Sequence, residues 1–476
     1  MFLQIIIKNI LVFFIIVFLS SCQTNRKDNS NLISQLFNND SQKSDIKQPF
    51  WKTLLDKNFS NVMEDEPLNI LVNKPKFKKF SQKNSKYNLR SAVNYHPSVR
   101  SALSNVKASK LAINTVESGK KTQISFQALG GITRDNSSNT AGAVGSINLS
   151  KLLYDFGAID YTVLSQKEKY QLSRVQAEIQ AETIALRAYE ILINLNRQNK
   201  ILEVYDRGLS LAEPILGQIK NISLSGLSDK AMILKAQQDY SKLVVSNTRS
   251  VAEKKAAKAL FLEIFPGGDV NSVEDLKTRN VLLGKNAINQ MLKKSAVIKA
   301  QDLLISSLMN DYKTLKAQKK ANVTMNAGIS APAEDTIDES TGNVGILVNY
   351  VFNDGGRLDS QIEAFKAKIK EAKQQKLTIQ NELESQLNVA IETYIGAKET
   401  YMATLDLVNL STDVRDTSKD QLVSGRSKIQ DVLNAEVTLA ENIIQQINAE
   451  AELKISSYRI RALTHGLTNE IGWKAY

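Results

Sequence analysis

The chain repeats itself: residues 199 positions apart match over most of its length. Gln123-Ile124-Ser125-Phe126-Gln127-Ala128 alternates polar and apolar, and Asn322-Val323-Thr324-Met325-Asn326-Ala327 keeps the same order. The same displacement takes Ile147 to Ile346, Leu149 to Val348, Leu153 to Phe352, Asp155 to Asp354 and Gly157 to Gly356. It also takes Gly226 to Gly425, Leu234 to Leu433, Ala236 to Ala435 and Gly267 to Gly466. A constant displacement without gaps marks an internal duplication. Whatever the first half folds into, the second must fold into as well. The halves are read as residues 87–268 and 286–467, joined by a linker at 269–285.

Each half carries one stretch of period-two alternation within helix-type sequence. Period two gives a strand one wet and one dry face. Two such strands around a polar turn read as a β-hairpin, here at 122–153 and 321–352. The polar set is Ser125, Gln127, Asn148 and Ser150 in the first copy, with Thr324, Asn326 and Asn349 in the second. The apolar set is Ile124, Phe126, Ile147, Leu149, Met325, Ile346, Val348 and Phe352. Leu347 falls in the polar row and is an exception.

A very long helix follows each hairpin. Ala181, Ala188, Leu195, Leu202, Leu209 and Leu216 lie seven apart, and Ile184, Ile191, Gln198, Tyr205, Ala212 and Ile219 lie three further on. That is coiled-coil patterning, broken only by Gln198. Residues 158–221 as helix would span roughly 95 Å at ~1.5 Å per residue. Pro214 lies outside both rows, where a kink leaves the seam filled. The second copy keeps the pattern at Leu383, Leu387, Ala390, Tyr394, Ala397 and Tyr401, then departs from it. Leu216 and Ile219 become Arg415 and Ser418, so the two helices cannot face the same surroundings there. Each long helix stops at a glycine break, around Gly226 and Gly425, and return helices are expected at 229–265 and 428–463. His96-Pro97 opens the first helix, which runs to about Lys121; its counterpart is read over about 290–320.

The formal charge of +12 raises the question of nucleic acid. The lysines are scattered over amphipathic helices and the aromatics sit at core positions, so a solvated basic face is the reading taken. The single cysteine excludes an intrachain disulfide and a thiolate metal cluster. Residues 1–21 read as a signal peptide: Lys8 precedes an apolar run, Ile10 to Leu19, too short to span a bilayer. The run ends Leu19-Ser20-Ser21-Cys22, which resembles the bacterial lipobox. That resemblance implies an acylated N-terminus at Cys22; a plain secretory signal with an incidental cysteine is the alternative. Gln23, rather than Asp, implies sorting to the outer membrane. Residues 22–86, rich in Asn, Ser, Lys and Gln, read as a tether, with Phe50-Trp51 and Leu68 to Val72 as candidate docking points. Residues 468–476 are a C-terminal tail.

Strands of about ten residues suit a tilted membrane strand. Four strands with open edges cannot sit in lipid, because unpaired backbone groups cost several kcal/mol each. Closure therefore needs other copies. Two copies make eight strands and a filled barrel; three make twelve and leave a lumen. The polar set would face that lumen and the apolar set lipid. Helices too long and too polar to lie in a bilayer would stand in the periplasm.

At this point the chain resembles the TolC family of outer-membrane efflux and secretion channels. The resemblance rests on the duplicated halves, on Leu153-Tyr154-Asp155-Phe156-Gly157 and Phe352-Asn353-Asp354-Gly355-Gly356-Arg357, and on Gly425 followed by Asp431-Val432-Leu433-Asn434-Ala435. It covers about residues 87–467. It implies a mainly α fold with β: a homotrimer with a long α-helical coiled-coil barrel and a membrane β-barrel of four strands per chain. It also implies an exit duct for a tripartite efflux or type I secretion system, lodged in the outer membrane. An adaptor (membrane fusion) protein and an inner-membrane pump or ABC exporter would open its closed periplasmic end.

The resemblance implies that the turns Gly226-Leu227-Ser228 and Gly425-Arg426-Ser427 meet the adaptor; a helix–helix turn without a partner is the other reading. It places Asp431 at an acidic gate position, with Asn434 where the family's next carboxylate falls. A helix-capping Asp431 is the alternative, as is a polar lock at Arg415 and Asp416. A lipid-anchored periplasmic coiled coil without a pore is the competing function. No catalytic, cofactor or metal site is expected: His96 and His465 are isolated, and Gly355-Gly356 is too short to cradle a phosphate. The cargo, small molecule or protein, stays open.

Overall fold

The computed structural model describes residues 75–80, 84–135, 138–224, 230–273, 275–279, 281, 285–332, 341–464 and 466–475. Cys22, most of the tether, the first tip Gly226-Leu227-Ser228 and His465 lie outside the described residues.

Two helices open the described chain, α1 (Ser85–Tyr95) and α2 (Pro97–Ser118). A hairpin follows, β1 (Gln123–Asp135) with β2 (Ser138–Tyr154), then α3 (Ala158–Leu224) and α4 (Lys230–Ile264). The second half repeats the order: α5 (Lys285–Lys293), α6 (Ala296–Gln318), β3 (Asn322–Pro332), β4 (Thr341–Asn349), α7 (Arg357–Val423) and α8 (Ile429–Leu463). A short α9 (Gly466–Ile471) ends the fold. The long helices α3 and α7 are each 67 residues and the return helices α4 and α8 each 35. Each pair starts 199 residues apart. Pro214 is accommodated inside α3 without ending it.

The helix expected to open at His96 is preceded by another, α1, and the region read as one helix near 290–320 is two. One cause explains both. His96 has an extended ψ of 130° and its ring accepts the Ser98 amide, capping α2, while Pro97 occupies the first turn. Ser295, its repeat equivalent, has ψ 126° and breaks the helix at the same point by its backbone alone, without a side-chain cap. The cut that proline makes plain in one copy is silent in the other.

The four strands form one antiparallel sheet in the order β1-β2-β3-β4, leaving β1 and β4 as open edges. The hairpin from each half therefore pairs with the other through β2 and β3. Below the sheet, α3 packs against α2, α6, α4 and α8, whereas α7 packs along α6 and α8.

The main core gathers where the chain ends meet the long helices. Leu89 and Val93 of α1, Val99 of α2, Ala181 to Leu195 of α3, Phe261 and Ile264 of α4 and Tyr458 of α8 pack together. Phe80, from the stretch read as tether, stacks edge-on between Phe261 and Phe265, with ring centroids 5.1 Å from each. Trp473 and Ala475, from the stretch read as a tail, are buried in the same core. Burying a large apolar side chain contributes roughly 1.5–3 kcal/mol, so these chain ends belong to the folded body. A second core joins α3, α4 and α8 near the turns, through Ala212, Leu216, Ile219, Leu243 and Leu433.

Candidate pore-lining face and helical tip

Strand register decides which side chains share a face, because directly opposed residues lie on the same side. Ser125 opposes Asn148, Ser150 opposes Asn326, and Asn322 opposes Asn349. With two-residue alternation this puts all seven polar positions, Ser125, Gln127, Asn148, Ser150, Thr324, Asn326 and Asn349, on one face. The Ser150 hydroxyl donates to Asn326 Oδ1 at 3.0 Å. Gly328 lies between Asn148 and Asn343, and a Cβ there would fall 2.7 Å from Asn343 Oδ1. Its missing side chain is the space those two amides use.

Leu347 opposes Thr324, which in turn opposes Leu152. The exception in the polar row is thus part of a cross-strand row that sequence reading missed. Leu152 has the same parity as Ser150, so the alternation itself carried that signal.

The opposite face holds Ile124, Phe126, Ile147, Leu149, Met325, Ile346 and Val348. Phe126 is 72% exposed and Ile346 69%. A continuous apolar sheet face this open marks a contact with lipid or protein. Phe352 lies beyond β4 and stacks edge-on with Tyr350, at a centroid distance of 4.7 Å. In the first copy Tyr154 and Phe156, a few positions further along the repeat, make a similar pair, also at 4.7 Å.

The repeated Asp-x-Gly motif is the hinge from strand to helix. Asp155 accepts the amides of Gly157 (3.0 Å) and Ile159 (2.7 Å). Asp354 accepts those of Gly356 (3.0 Å) and Leu358 (2.9 Å). Each carboxylate caps its long helix and offsets part of the positive helix start. The Leu358 and Gly356 amides hold the Asp354 carboxyl below its ordinary value, against a smaller opposing effect of desolvation. The bend needs left-handed backbone: Gly157 has φ +84° and Gly356 φ +83°. Gly355 has φ +68°, and Phe156 takes its place in the first copy at φ +55°. A left-handed phenylalanine costs on the order of 1 kcal/mol.

At the far end of α7, Gly425 (φ +70°) closes the helix. The Arg426 amide reaches back to the Gln421 carbonyl at 2.8 Å, the six-to-one bond of a Schellman turn. Asp431 then starts α8: its Oδ2 accepts the Lys428 amide at 2.9 Å and the Ser427 hydroxyl at 3.0 Å. Within the chain Asp431 is a helix-capping residue, exposed to solvent. Arg415 Nε lies 2.7 Å from Asp416, its neighbour in sequence, rather than from another helix.

The polar ties between helices near this end are different residues. Lys419 of α7 pairs with buried Glu436 of α8 at 2.6 Å. Asp239 of α4, also buried, receives Gln430 Nε2 of α8 at 3.4 Å and faces Lys235 and Lys242. Sequence reading missed both, because a charged residue at a helix seam looks like surface until its partner is known. Higher up, Lys200 and Lys454 share the carboxylates of Asp275 and Glu450 at 2.6–3.0 Å. Desolvation opposes the charged forms, yet these bonds raise the Lys200 value and lower that of Asp275.

Among the described residues, no group of His, Cys, Asp or Glu could hold a metal ion, and no helix is long and apolar enough to cross a membrane. The second statement says nothing of the sheet.

A duplicated subunit with paired long helices and four strands of an unfinished sheet has the fold of the TolC-type outer-membrane channels. The Campylobacter jejuni CmeC outer membrane channel aligns with TM-score 0.70 at 13% identity, over 95% of this chain and 94% of that one. The Neisseria gonorrhoeae MtrE outer membrane channel, in its open state, aligns with TM-score 0.69 at 12% identity, over 80% and 89%. The outer membrane protein VceC of Vibrio cholerae aligns with TM-score 0.67 at 15% identity, over 80% and 96%. At such identities the likeness is one of fold. These neighbours are membrane and channel proteins rather than enzymes. No protein-family model and no curated protein sequence matches the chain.

Proposed function

We propose that three copies of this chain form an outer-membrane channel, the exit duct of a tripartite efflux or type I secretion system. The observation that carries this is the sheet: four strands, one wet face, one dry face and two unpaired edges. Lipid does not tolerate open edges, so the edges must find each other in other copies. The helices support the same closure. Helix α3 has α2 and α6 as neighbours, and α6 is the repeat equivalent of α2. Helix α7 packs along α6 but has no third such helix among the described residues; α2 of the next copy completes the series. Twelve strands then surround a lumen lined by the Ser, Asn, Gln and Thr face. Fold likeness to solved outer-membrane channels supports the location. The leader and Cys22 support export and lipid anchoring.

The turn Gly425-Arg426-Ser427 and its first-copy partner Gly226-Leu227-Ser228 are the surfaces we assign to an adaptor protein. Crosslinking from a cysteine placed at Arg426, read by mass spectrometry, identifies that partner. The test of the channel is conductance: purified protein should run as a heat-sensitive trimer and conduct in a planar bilayer. A monomer, or a trimer without conductance, would favour a poreless coiled-coil role. Asp431 has two readings, a gate ring and a helix cap, and one variant separates them. Asp431→Ala raises resting conductance if three carboxylates help hold the tip closed. With an unchanged closed channel, the cap is its whole role and Asp431 leaves the gate assignment.

A further inference from the structure

All four strand-to-helix junctions lie at one level of the fold, and their charges do not balance. Four carboxylates sit there, and each is occupied. Asp155 and Asp354 are taken by helix-start amides. Asp160 pairs with Lys120, and Asp359 with Lys319, in repeat-equivalent ion pairs. Lys121, Lys151, Lys320 and Arg357 remain, all exposed. Among the described residues, none of them forms an ion pair within 4.0 Å, although the Arg357 charge acts on the Asp354 carboxylate at longer range. The Lys320 ammonium lies 4.9 Å from the centre of the Phe156 ring.

Lys151 stands on the rim of the dry face by its register and Lys320 lies against Phe156, while Lys121 and Arg357 flank the two outer strands at the same end of the sheet. Lys151 is the telling residue. It opposes Met325, and its parity is that of Ile147 and Leu149, so its stem stands on the apolar face. A lysine rooted there is stable if its ammonium reaches a polar layer along the surface. Aromatic side chains beside lysines at one edge of an apolar strand band are what a bilayer interface selects.

We propose that this collar binds the phosphate-bearing headgroups of anionic glycerophospholipids in the membrane leaflet next to the helices. The four cations do not converge on a pocket that would hold a free anion. They are spread along the boundary of the dry band, as a surface of headgroups requires. This rests on the barrel reading of the sheet.

The test uses the full chain, reconstituted in vesicles of equal phosphatidylglycerol and phosphatidylcholine, then extracted in mild detergent for lipid analysis by mass spectrometry. Wild type should carry phosphatidylglycerol preferentially. The combined variant Lys121→Gln, Lys151→Gln, Lys320→Gln and Arg357→Gln should lose roughly tenfold or more of that preference, as expected when juxtamembrane cations are removed. A control losing the same charge elsewhere, Lys254→Gln, Lys255→Gln, Lys258→Gln and Lys299→Gln, should keep it. Equal retention by the collar variant and the control overturns the proposal, as does stripping of the lipid by inorganic phosphate, which would mark a plain anion site. Conductance is recorded on the same preparations. A conducting channel without lipid preference removes the collar alone; no channel at all removes the barrel reading beneath it.

Discussion

Helices α3 and α7 have the same length and start at the same point of the repeat, yet they are not in the same position. Helix α3 is wrapped by six others and buries a long row from Val175 to Ile219. Helix α7 buries few large side chains and leaves Leu377, Val389 and Met402 exposed. The first-copy residues at those three positions are Glu178, Glu190 and Glu203. Duplication copied the backbone; the side chains then diverged by surroundings. At these three positions α3 carries carboxylates, one of them paired with Arg459 of α8, whereas α7 carries exposed apolar side chains. Leu377 and Met402, exposed and apolar beside carboxylate twins, are the side chains that the proposed contact with α2 of a second copy would cover.

The sharpest way to break this comparison is to give α7 the side chains of α3. Leu377→Glu with Met402→Glu should abolish the trimer on size exclusion while leaving subunit unfolding within about 0.5 kcal/mol, as for ordinary surface changes. A trimer that survives would mean that this face meets no second copy. Next in size is the buried end of the comparison. Ile219→Ala should cost about 2–5 kcal/mol in denaturant unfolding, because the side chain is fully buried against α4 and α8. Its counterpart Ser418→Ala should be nearly silent. Equal effects would show that both helices are wrapped alike.

Glu182 sharpens the point at a polar site. Its buried carboxylate accepts the amides of Leu467 and Thr468 (2.8 and 2.9 Å) and the Thr468 hydroxyl (2.6 Å). Glu182→Gln should cost about 2 kcal/mol, since an amide leaves one of those donors unmet. The repeat equivalent, Asn381→Ala, should cost little. The smallest effect is expected where the copies agree. Asp155→Ala should cost about 1 kcal/mol as a lost helix cap, and Asp354→Ala should destabilise in the same direction. For Asp354 the folded value lies below the ordinary 3.8. Its contribution is therefore present at neutral pH and lost as the pH falls through that depressed value. An acid titration of wild type against Asp354→Ala should converge there.

Much of this was legible in the residues. Period-two runs located all four strands, and register confirms one wet and one dry face. Heptad rows located α3, and the fixed displacement carried its limits to α7. What escaped were features with no period. Helix α1 is short, although Leu89, Ala92 and Val93 have helical spacing. Ser295 cuts α5 from α6 with no proline to announce it. Glu182, Asp239 and Glu436 looked like surface carboxylates because their partners lie far away in sequence. The Asp of the repeated motif was noticed as a pattern; its bonds to two amides supply the physical reason.

The last residues have a consequence of their own. Trp473 and Ala475 fill the central core, and the Ala475 carbonyl takes a bond from Arg174 at 3.3 Å, across 301 residues. Closing that core is therefore a long-range event: two stretches 301 residues apart must find each other, and such non-local contacts form slowly.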